Sequence, residues 1–507
     1  MTTAAMVAAA KEDHVLIFPF LSKGHTIPLL HLAAALSSRN ILTTLFTTPA
    51  NVPFFRHHLF SFGANAAKIQ LLILPFPNHP DLPAGVENTD FLPSFSLFPT
   101  FLGATTSLHD PFLHLLRNLL RSPSPPLCLI SDFFLGWTLA ICRHFGLPRL
   151  VFHGMSTFSM SLTKSFWKNI PKDEPFSVAG APPELQLTLA DLPEGVINSV
   201  DPLDPATHFF ESSVQTDIES WGVIVNSFAD IEPPAYIQLL ESFYGPVAGG
   251  RLWLVGPLNL LTETEPVEKL SSESECIRWL DRQPDGSIIY VAFGTQVDIS
   301  DEQLDEVAHG LVRAGIRFLW AVRSETWLPP IGSADLGRIE RGWVPQKQVL
   351  SHVAVGGFVS HCGWNSVLEA VSAGVALLTW PMIAEQWLNA KMVAEVIGVG
   401  IRLRIPAAGV VVGRKEVEEG VRELMEGEKG RRARERAAEL AEKAKAAVVK
   451  GGSSYETLDK LLEELRKVPT ATAVTEVEEG EARVEGEVKM VKMVHREWRD
   501  GPQPLHA

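Results

Sequence analysis

The chain has 507 residues, 46% of them hydrophobic and 20% charged, enough to bury large cores in two or three soluble globular domains. A formal net charge of −15 argues against a nucleic-acid partner or an anionic membrane surface, and the basic cluster at 429–436 has the composition of a solvated helix face. The scattered Cys128, Cys142, Cys276 and Cys362 exclude a disulfide framework and point to a reducing, cytoplasmic compartment.

In chain order, residues 1–11 have neither a basic start nor a long apolar core, so they read as a disordered N-terminus and not as a secretory signal. Short apolar runs followed by helical patterns then recur at 14–20, 42–47, 69–75, 127–131, 150–153 and 222–226. That is the pattern of a parallel sheet with helices on both faces. A last strand and turn at 253–257 closes the series, and 261–275 (LTETEPVEKLSSESE) has linker composition. A second series places strands at 287–293, 317–322, 355–360 and 375–380, followed by Glu-, Lys-, Arg- and Ala-rich helices over 414–467. The expectation is an α/β chain with two doubly wound, Rossmann-like domains, 12–260 and 276–467. From 468 to 507 apolar periodicity is lost, so the tail is expected to be disordered. The weakly polar run 371–384 is interrupted by Ser372 and Thr379 and is too short for a transmembrane segment.

Residues with chemistry lie where such sheets gather ligands, at strand carboxyl ends. His25, in the phrase FPFLSKGHTIP, is expected in the loop just before a helix, where an imidazole can act as a general base near neutral pH. Asp132 follows the strand LCLIS. A capping or merely exposed histidine, and an aspartate that caps a helix, are the plain alternatives. Around residue 360 a strand, the H-C-G turn and a helix beginning Trp364-Asn365-Ser366 would aim free backbone N–H groups at an anion such as a diphosphate. Here too helix capping is the plain alternative. His352, His361 and Cys362 lack paired metal-ligand spacing, so no metal is expected. The G-x-G-x-x-G of nicotinamide enzymes is approached only by Gly398-Val399-Gly400, without the third glycine, and the P-loop motif is absent.

The stretch 343–386 joins W-V-P-Q, H-C-G-W-N-S, Glu369, Trp380-Pro381 and Glu385-Gln386 at fixed spacings. It resembles the signature box of the plant family 1 UDP-dependent glycosyltransferases. Ala376 stands where that box has proline, and Glu385 where aspartate is commoner. The phrase P-F-x-x-x-G-H-x-x-P around His25 resembles the same family's base segment. The resemblance spans residues 13–467 and implies a GT-B fold, two such domains facing across a cleft, acceptor in the first and nucleotide sugar in the second.

It implies that His25 deprotonates an acceptor hydroxyl while Asp132 orients it, and that the hydroxyl attacks a UDP-sugar with inversion. On the donor side it implies Trp343 stacked on uracil, Val344 and Gln346 at the base, and Glu369 on the ribose hydroxyls. The helix N-terminus with Thr295, His361, Asn365 and Ser366 would meet the diphosphate, Trp364 is a further donor-site position, and Glu385 with Gln386 would hold the sugar. Gln386 resembles the glucose-preferring members, so UDP-glucose is the expected co-substrate, with no cofactor. Gly24, Phe20, Phe133, Trp137, Phe152 and Phe293 are candidates for the surface around a flat phenolic acceptor, with a core role as the alternative for each aromatic. The expectation is a monomeric glucosyltransferase of small aromatic plant metabolites such as flavonoids. Asp110-Pro111-Phe112 resembles a motif of some plant C-glycosyltransferases, which leaves carbon-linked transfer to polyhydroxylated aromatic ketones as an alternative. A catalytically inactive nucleotide-sugar-binding protein is the non-enzyme alternative, and the presence of both His25 and Asp132 argues against it.

Overall fold

The computed structural model describes residues 12–167, 171–193, 205–261, 274–294, 299–330, 332, 336–342, 344–405 and 410–469. The first strands are β1 (His14–Phe18), β2 (Leu42–Thr47), β3 (Ile69–Ile73), β4 (Cys128–Asp132), β5 (Arg149–His153), β6 (Gly222–Val225) and β7 (Leu252–Leu254). They form a sheet of order β3-β2-β1-β4-β5-β6-β7, with parallel pairing from β3 through β5. A second sheet contains β8 (Ile288–Ala292), β9 (Arg317–Val322), β10 (Gly337–Arg341), β11 (Val355–Ser360), β12 (Leu377–Thr379) and β13 (Gly400–Arg402). Its order is β10-β9-β8-β11-β12-β13, parallel throughout. The expected α/β class with two parallel sheets is therefore present.

The described residues within 12–152, 208–224 and 459–469 fall in one compact unit, those within 153–207 and 225–458 in the other. Much of the expected linker (262–273), the 1–11 segment and the tail from 470 lie outside the described residues. Glu275, the last residue of the expected linker, already opens the helix Glu275–Leu280.

The central strands read as apolar runs because both faces of each sheet are covered. Along β8, Ile288, Tyr290 and Ala292 join the core that includes Phe358, Trp364 and Leu368, whereas Ile289 and Val291 join the core of Trp320, Val359 and Leu378. That alternation is the two-residue period of a strand with both faces buried. In the first unit Leu16, Phe18, Phe46, Phe112 and Leu129 form the corresponding core.

In each sheet the chain order reverses beside a central strand, the position at which α/β sheets gather ligands. In the first sheet Phe18 at the end of β1 is in register with Ser131 of β4. In the second, Ala292 ending β8 is in register with Ser360 ending β11. The chain therefore leaves these paired ends side by side, with His25 and Asp132 just at or beyond them in one unit and Gly294 and His361 just beyond them in the other.

The helical pattern over 414–467 resolves into Arg414–Met425, Glu428–Val448 and Ser453–Lys467. The first of these packs on Asp301–Ala314 at Gly310, where a β-carbon would lie 2.5 Å from Val417 Cβ and 2.9 Å from the Arg414 carbonyl oxygen. Helix propensity alone would make Gly310→Ala stabilising by about 1 kcal/mol. Overpacking against a branched carbon and a carbonyl costs roughly 1–3 kcal/mol and should win. The variant is expected to unfold at a lower denaturant midpoint than the wild type. An unchanged or higher midpoint would mean that the two helices can separate without cost.

Candidate active site

Ser22, with extended backbone, sits at the N-cap of the helix Lys23–Ser37, and its carbonyl accepts the N–H groups of His25 (3.1 Å) and Thr26 (2.8 Å). His25 thus lies in the first helical turn and not in the loop before it, because the chain turns into a helix as soon as it leaves Leu21. Its Nδ1 lies 2.8 Å from Oδ2 of Asp132. Asp132 ends β4 and is only 1% exposed, while the His25 side chain is 29% exposed. The other carboxylate oxygen, Oδ1, accepts the Phe134 N–H at 2.9 Å, closing the short turn Phe133–Leu135. Both carboxylate oxygens are engaged, so the carboxylate plane and the imidazole facing it are fixed together.

Aromatic rings surround this pair. Phe20 and Phe134 lie with their centroids 5.4 Å from the His25 ring, and Phe98 lies 6.2 Å from Phe20 and 5.9 Å from Phe134. Phe210 extends the set at 6.0 Å from Phe134. Of the acceptor candidates, Phe20 is the buried ring under His25, Gly24 is exposed beside it, and Phe133 is half-buried against Phe134. Trp137 instead packs on Phe18 and Phe112, each 5.8 Å away, and Phe152 is fully buried in β5. Sequence reasoning missed Phe98, Phe134 and Phe210. The doublet Phe133-Phe134 was their clearest signal, but the tight turn after β4 breaks strand alternation and brings the second ring, not the first, onto the histidine.

In the second unit β11 runs into His361-Cys362-Gly363 and the helix Trp364–Ala373. Cys362 adopts a left-handed conformation (φ 63°). Its N–H is held by Ser360 Oγ at 3.1 Å, and its carbonyl accepts from Asn389 Nδ2 at 2.9 Å. Two glycines admit the His361 ring: a β-carbon would lie 2.9 Å from its Nε2 at Gly294 and 2.6 Å at Gly363. Trp364 is 1% exposed and donates Nε1–H to the Asn226 carbonyl at 2.8 Å, so it anchors the helix start, where the half-buried Asn365 follows.

Gln346, Ser366 and Glu369 come together. Gln346 Nε2 donates to Ser366 Oγ at 3.0 Å and to Glu369 Oε2 at 2.7 Å. The carbonyl of buried Val344 accepts the Gln346 N–H at 2.8 Å. Gln386 turns its Oε1 to the N–H groups of Met382 and Ile383, 3.0 and 3.1 Å away, and Glu385 Oε1 accepts from Asn389 at 3.4 Å. Thr295 and Trp343 lie outside the described residues.

Burial raises the Glu369 carboxyl above the usual range despite the opposing hydrogen bond from Gln346 and the nearby Lys347. Burial likewise lowers His361 to about 4, with the Ala292 carbonyl pulling weakly the other way. His361 is therefore neutral at physiological pH, able to offer one N–H but no positive charge. Any further attraction for an anion at this strand end comes from the first-turn N–H groups and the dipole of the helix. Among the described residues no cluster of His, Cys, Asp or Glu has the arrangement of a metal site.

A family model described as UDP-glucoronosyl and UDP-glucosyl transferase matches residues 262–432. UDP-glycosyltransferase 90A1 of Arabidopsis thaliana is 39% identical over 500 residues, spanning 93% of this chain and 100% of its own. The chain belongs to the plant family 1 UDP-glycosyltransferases. It is similar to another member, the anthocyanin 3'-O-beta-glucosyltransferase of Gentiana triflora, at 36% identity over 90% of this chain and 99% of that one. The solved structure of Phytolacca americana UGT2 with UDP-2fluoro-glucose and pterostilbene matches it with TM-score 0.73 and 30% identity, over 90% of this chain and 99% of that chain. This glycosyltransferase shares the GT-B fold of its structural neighbours.

Because burial lowers His361 to about 4, the ring is uncharged in the free protein between pH 8 and pH 6. The affinity of the glycosyltransferase for UDP-glucose, measured by calorimetry, should change by less than about twofold over that range. A rise above about fivefold on acidification, as a histidinium forming beside the diphosphate would produce, would contradict the assignment.

Proposed function

We propose that this glycosyltransferase transfers glucose from UDP-glucose, with inversion and without a metal, to a hydroxyl of a small aromatic plant metabolite such as a flavonoid. The observation that carries this reading is the 2.8 Å contact between His25 Nδ1 and the buried Asp132 carboxylate. With Nδ1 bound to Asp132, proton acceptance falls to Nε2. Asp132 holds that tautomer and stabilises the imidazolium formed when the acceptor gives up its proton. The resulting oxygen nucleophile attacks the anomeric carbon from the face opposite the diphosphate, the carbon–oxygen bond to UDP breaks, and UDP leaves with the electron pair.

On the donor side the helix N-terminus and the neutral His361 would meet the departing diphosphate, supported by Asn365, Ser366 and Thr295. Glu369, held by Gln346, would accept from the ribose hydroxyls, with Trp343 and Val344 at the base. Gln386 and Glu385 would hold the sugar. The rings of Phe20, Phe98, Phe134 and Phe210 near His25 favour a flat, apolar acceptor, and rings at such distances interact by offset and edge contacts. The relatives named for glucosylating an anthocyanin oxygen and for holding pterostilbene support the same class.

Oxygen-linked transfer is favoured over carbon-linked transfer. Asp110 lies in the first turn of the helix His109–Leu120, is 81% exposed and pairs with His109, a setting in which an acid serves the helix end. Buried, unpaired thiols at all four cysteines support a reducing, cytoplasmic setting, and no described helix is long and apolar enough to cross a membrane. A monomer satisfies the chemistry as written.

His25→Ala should lower turnover of UDP-glucose with a phenolic panel by roughly 10²–10⁴-fold. EDTA should leave wild-type activity unchanged, and the main product should release glucose on heating in acid. Full activity of His25→Ala, or loss of activity with EDTA, would refute the mechanism. A sugar linkage that survives acid would transfer the acceptor assignment to ring carbon. In competition at equal concentration UDP-glucose should outcompete UDP-galactose, and an excess of galactoside would refute the donor assignment.

A further inference from the structure

Arg149 opens β5 and is 1% exposed, yet no step of the proposed reaction uses it. An arginine keeps its charge in any protein environment, so burying one demands hydrogen-bond partners around the guanidinium. Nε–H donates to Ser131 Oγ (2.8 Å) and Thr138 Oγ1 (3.1 Å). One terminal nitrogen donates to Ser220 Oγ (2.6 Å) and the Thr216 carbonyl (3.2 Å), and the other to the carbonyl of Asp132 (3.2 Å). The guanidinium thus grips both ends of the turn 131–138. Within that turn the Phe134 N–H clasps Asp132 Oδ1, and Thr138 Oγ1 donates back to the Leu135 carbonyl at 2.7 Å. The turn also lies hard against the helix Pro205–Ile218, because a β-carbon at Gly136 would come within 2.3 Å of Thr216 Oγ1.

We infer that Arg149 is a positioning residue for the base: by fixing the carbonyl of Asp132 and the turn that follows, it sets the direction in which the carboxylate meets His25. A planar fork that reaches two backbone carbonyls and three hydroxyls has no equivalent in lysine, whose single ammonium can satisfy only part of the set. The inference rests on the His25–Asp132 reading, and its test separates the two.

Arg149→Lys and Asp132→Ala are compared singly and together. Arg149→Lys should lower kcat about 10- to 100-fold while KM for UDP-glucose stays within about twofold, since the donor residues lie in the other compact unit. In the Asp132→Ala background the same substitution should cost less than about threefold, because its effect acts through a side chain already removed. Equal losses in both backgrounds would make Arg149 a purely structural residue and overturn the inference. An unchanged kcat in the single Arg149→Lys variant would overturn it as well. Asp132→Ala with undiminished turnover would instead overturn the dyad itself. If Arg149→Lys does not fold, Thr138→Val replaces it in the same comparison with the same criteria, since it removes one Arg149 acceptor and a clasp of the turn.

Discussion

The hydrogen bond between Asp132 and His25 is the constraint on which the proposed chemistry of this glycosyltransferase depends. It joins the end of one strand to the first turn of the helix that follows its neighbour. The bond forms because β1 and β4 are parallel and in register, so that Phe18, the last residue of β1, lies level with Ser131, the residue before Asp132. A buried carboxylate is costly to desolvate, and this one is compensated by a partner at each oxygen. The imidazole beside it remains partly exposed, as a base that must reach a substrate requires.

The second unit repeats the same topological device for a different purpose. There the paired strand ends release Gly294 and His361, and the absence of side chains at Gly294 and Gly363 leaves room for the imidazole between two backbones. Enclosure keeps that ring uncharged, so in the proposed reaction it would offer an N–H dipole, and no charge, to the diphosphate. The two histidines therefore differ in environment. His25 faces the Asp132 carboxylate and stays partly exposed, whereas burial holds His361 neutral.

Much of this was legible in the sequence, and the exceptions have physical causes. Strands such as β2, β9 and β11 coincide with apolar runs because both of their faces are covered. β10 (GRIER) and β13 (GIR) are edge strands with charged residues, so the apolar-run signal is absent. β5 was expected to start after Arg149, since a charged residue normally marks a strand end. Arg149 belongs to the strand because five hydrogen bonds from distant segments satisfy its guanidinium. The family resemblance of 343–386 implied Gln346, Ser366 and Glu369 as donor-site candidates, but not that they bind one another, because that contact depends on the angle between a short helix and the one after β11. The aromatic surface near His25 was the least legible part, since Phe98, Phe134 and Phe210 converge only after folding.

The central claim is that Asp132 fixes the proton of neutral His25 on Nδ1 and leaves Nε2 to accept the proton of the acceptor. A nitrogen–proton correlation spectrum of the histidine side chains, with His25 assigned from its loss in His25→Gln, reads that tautomer directly. The account predicts a protonated Nδ1 and an unprotonated Nε2 above the His25 titration, and a change in that pattern in Asp132→Asn. A His25 that carries its proton on Nε2 in the wild-type protein would contradict it.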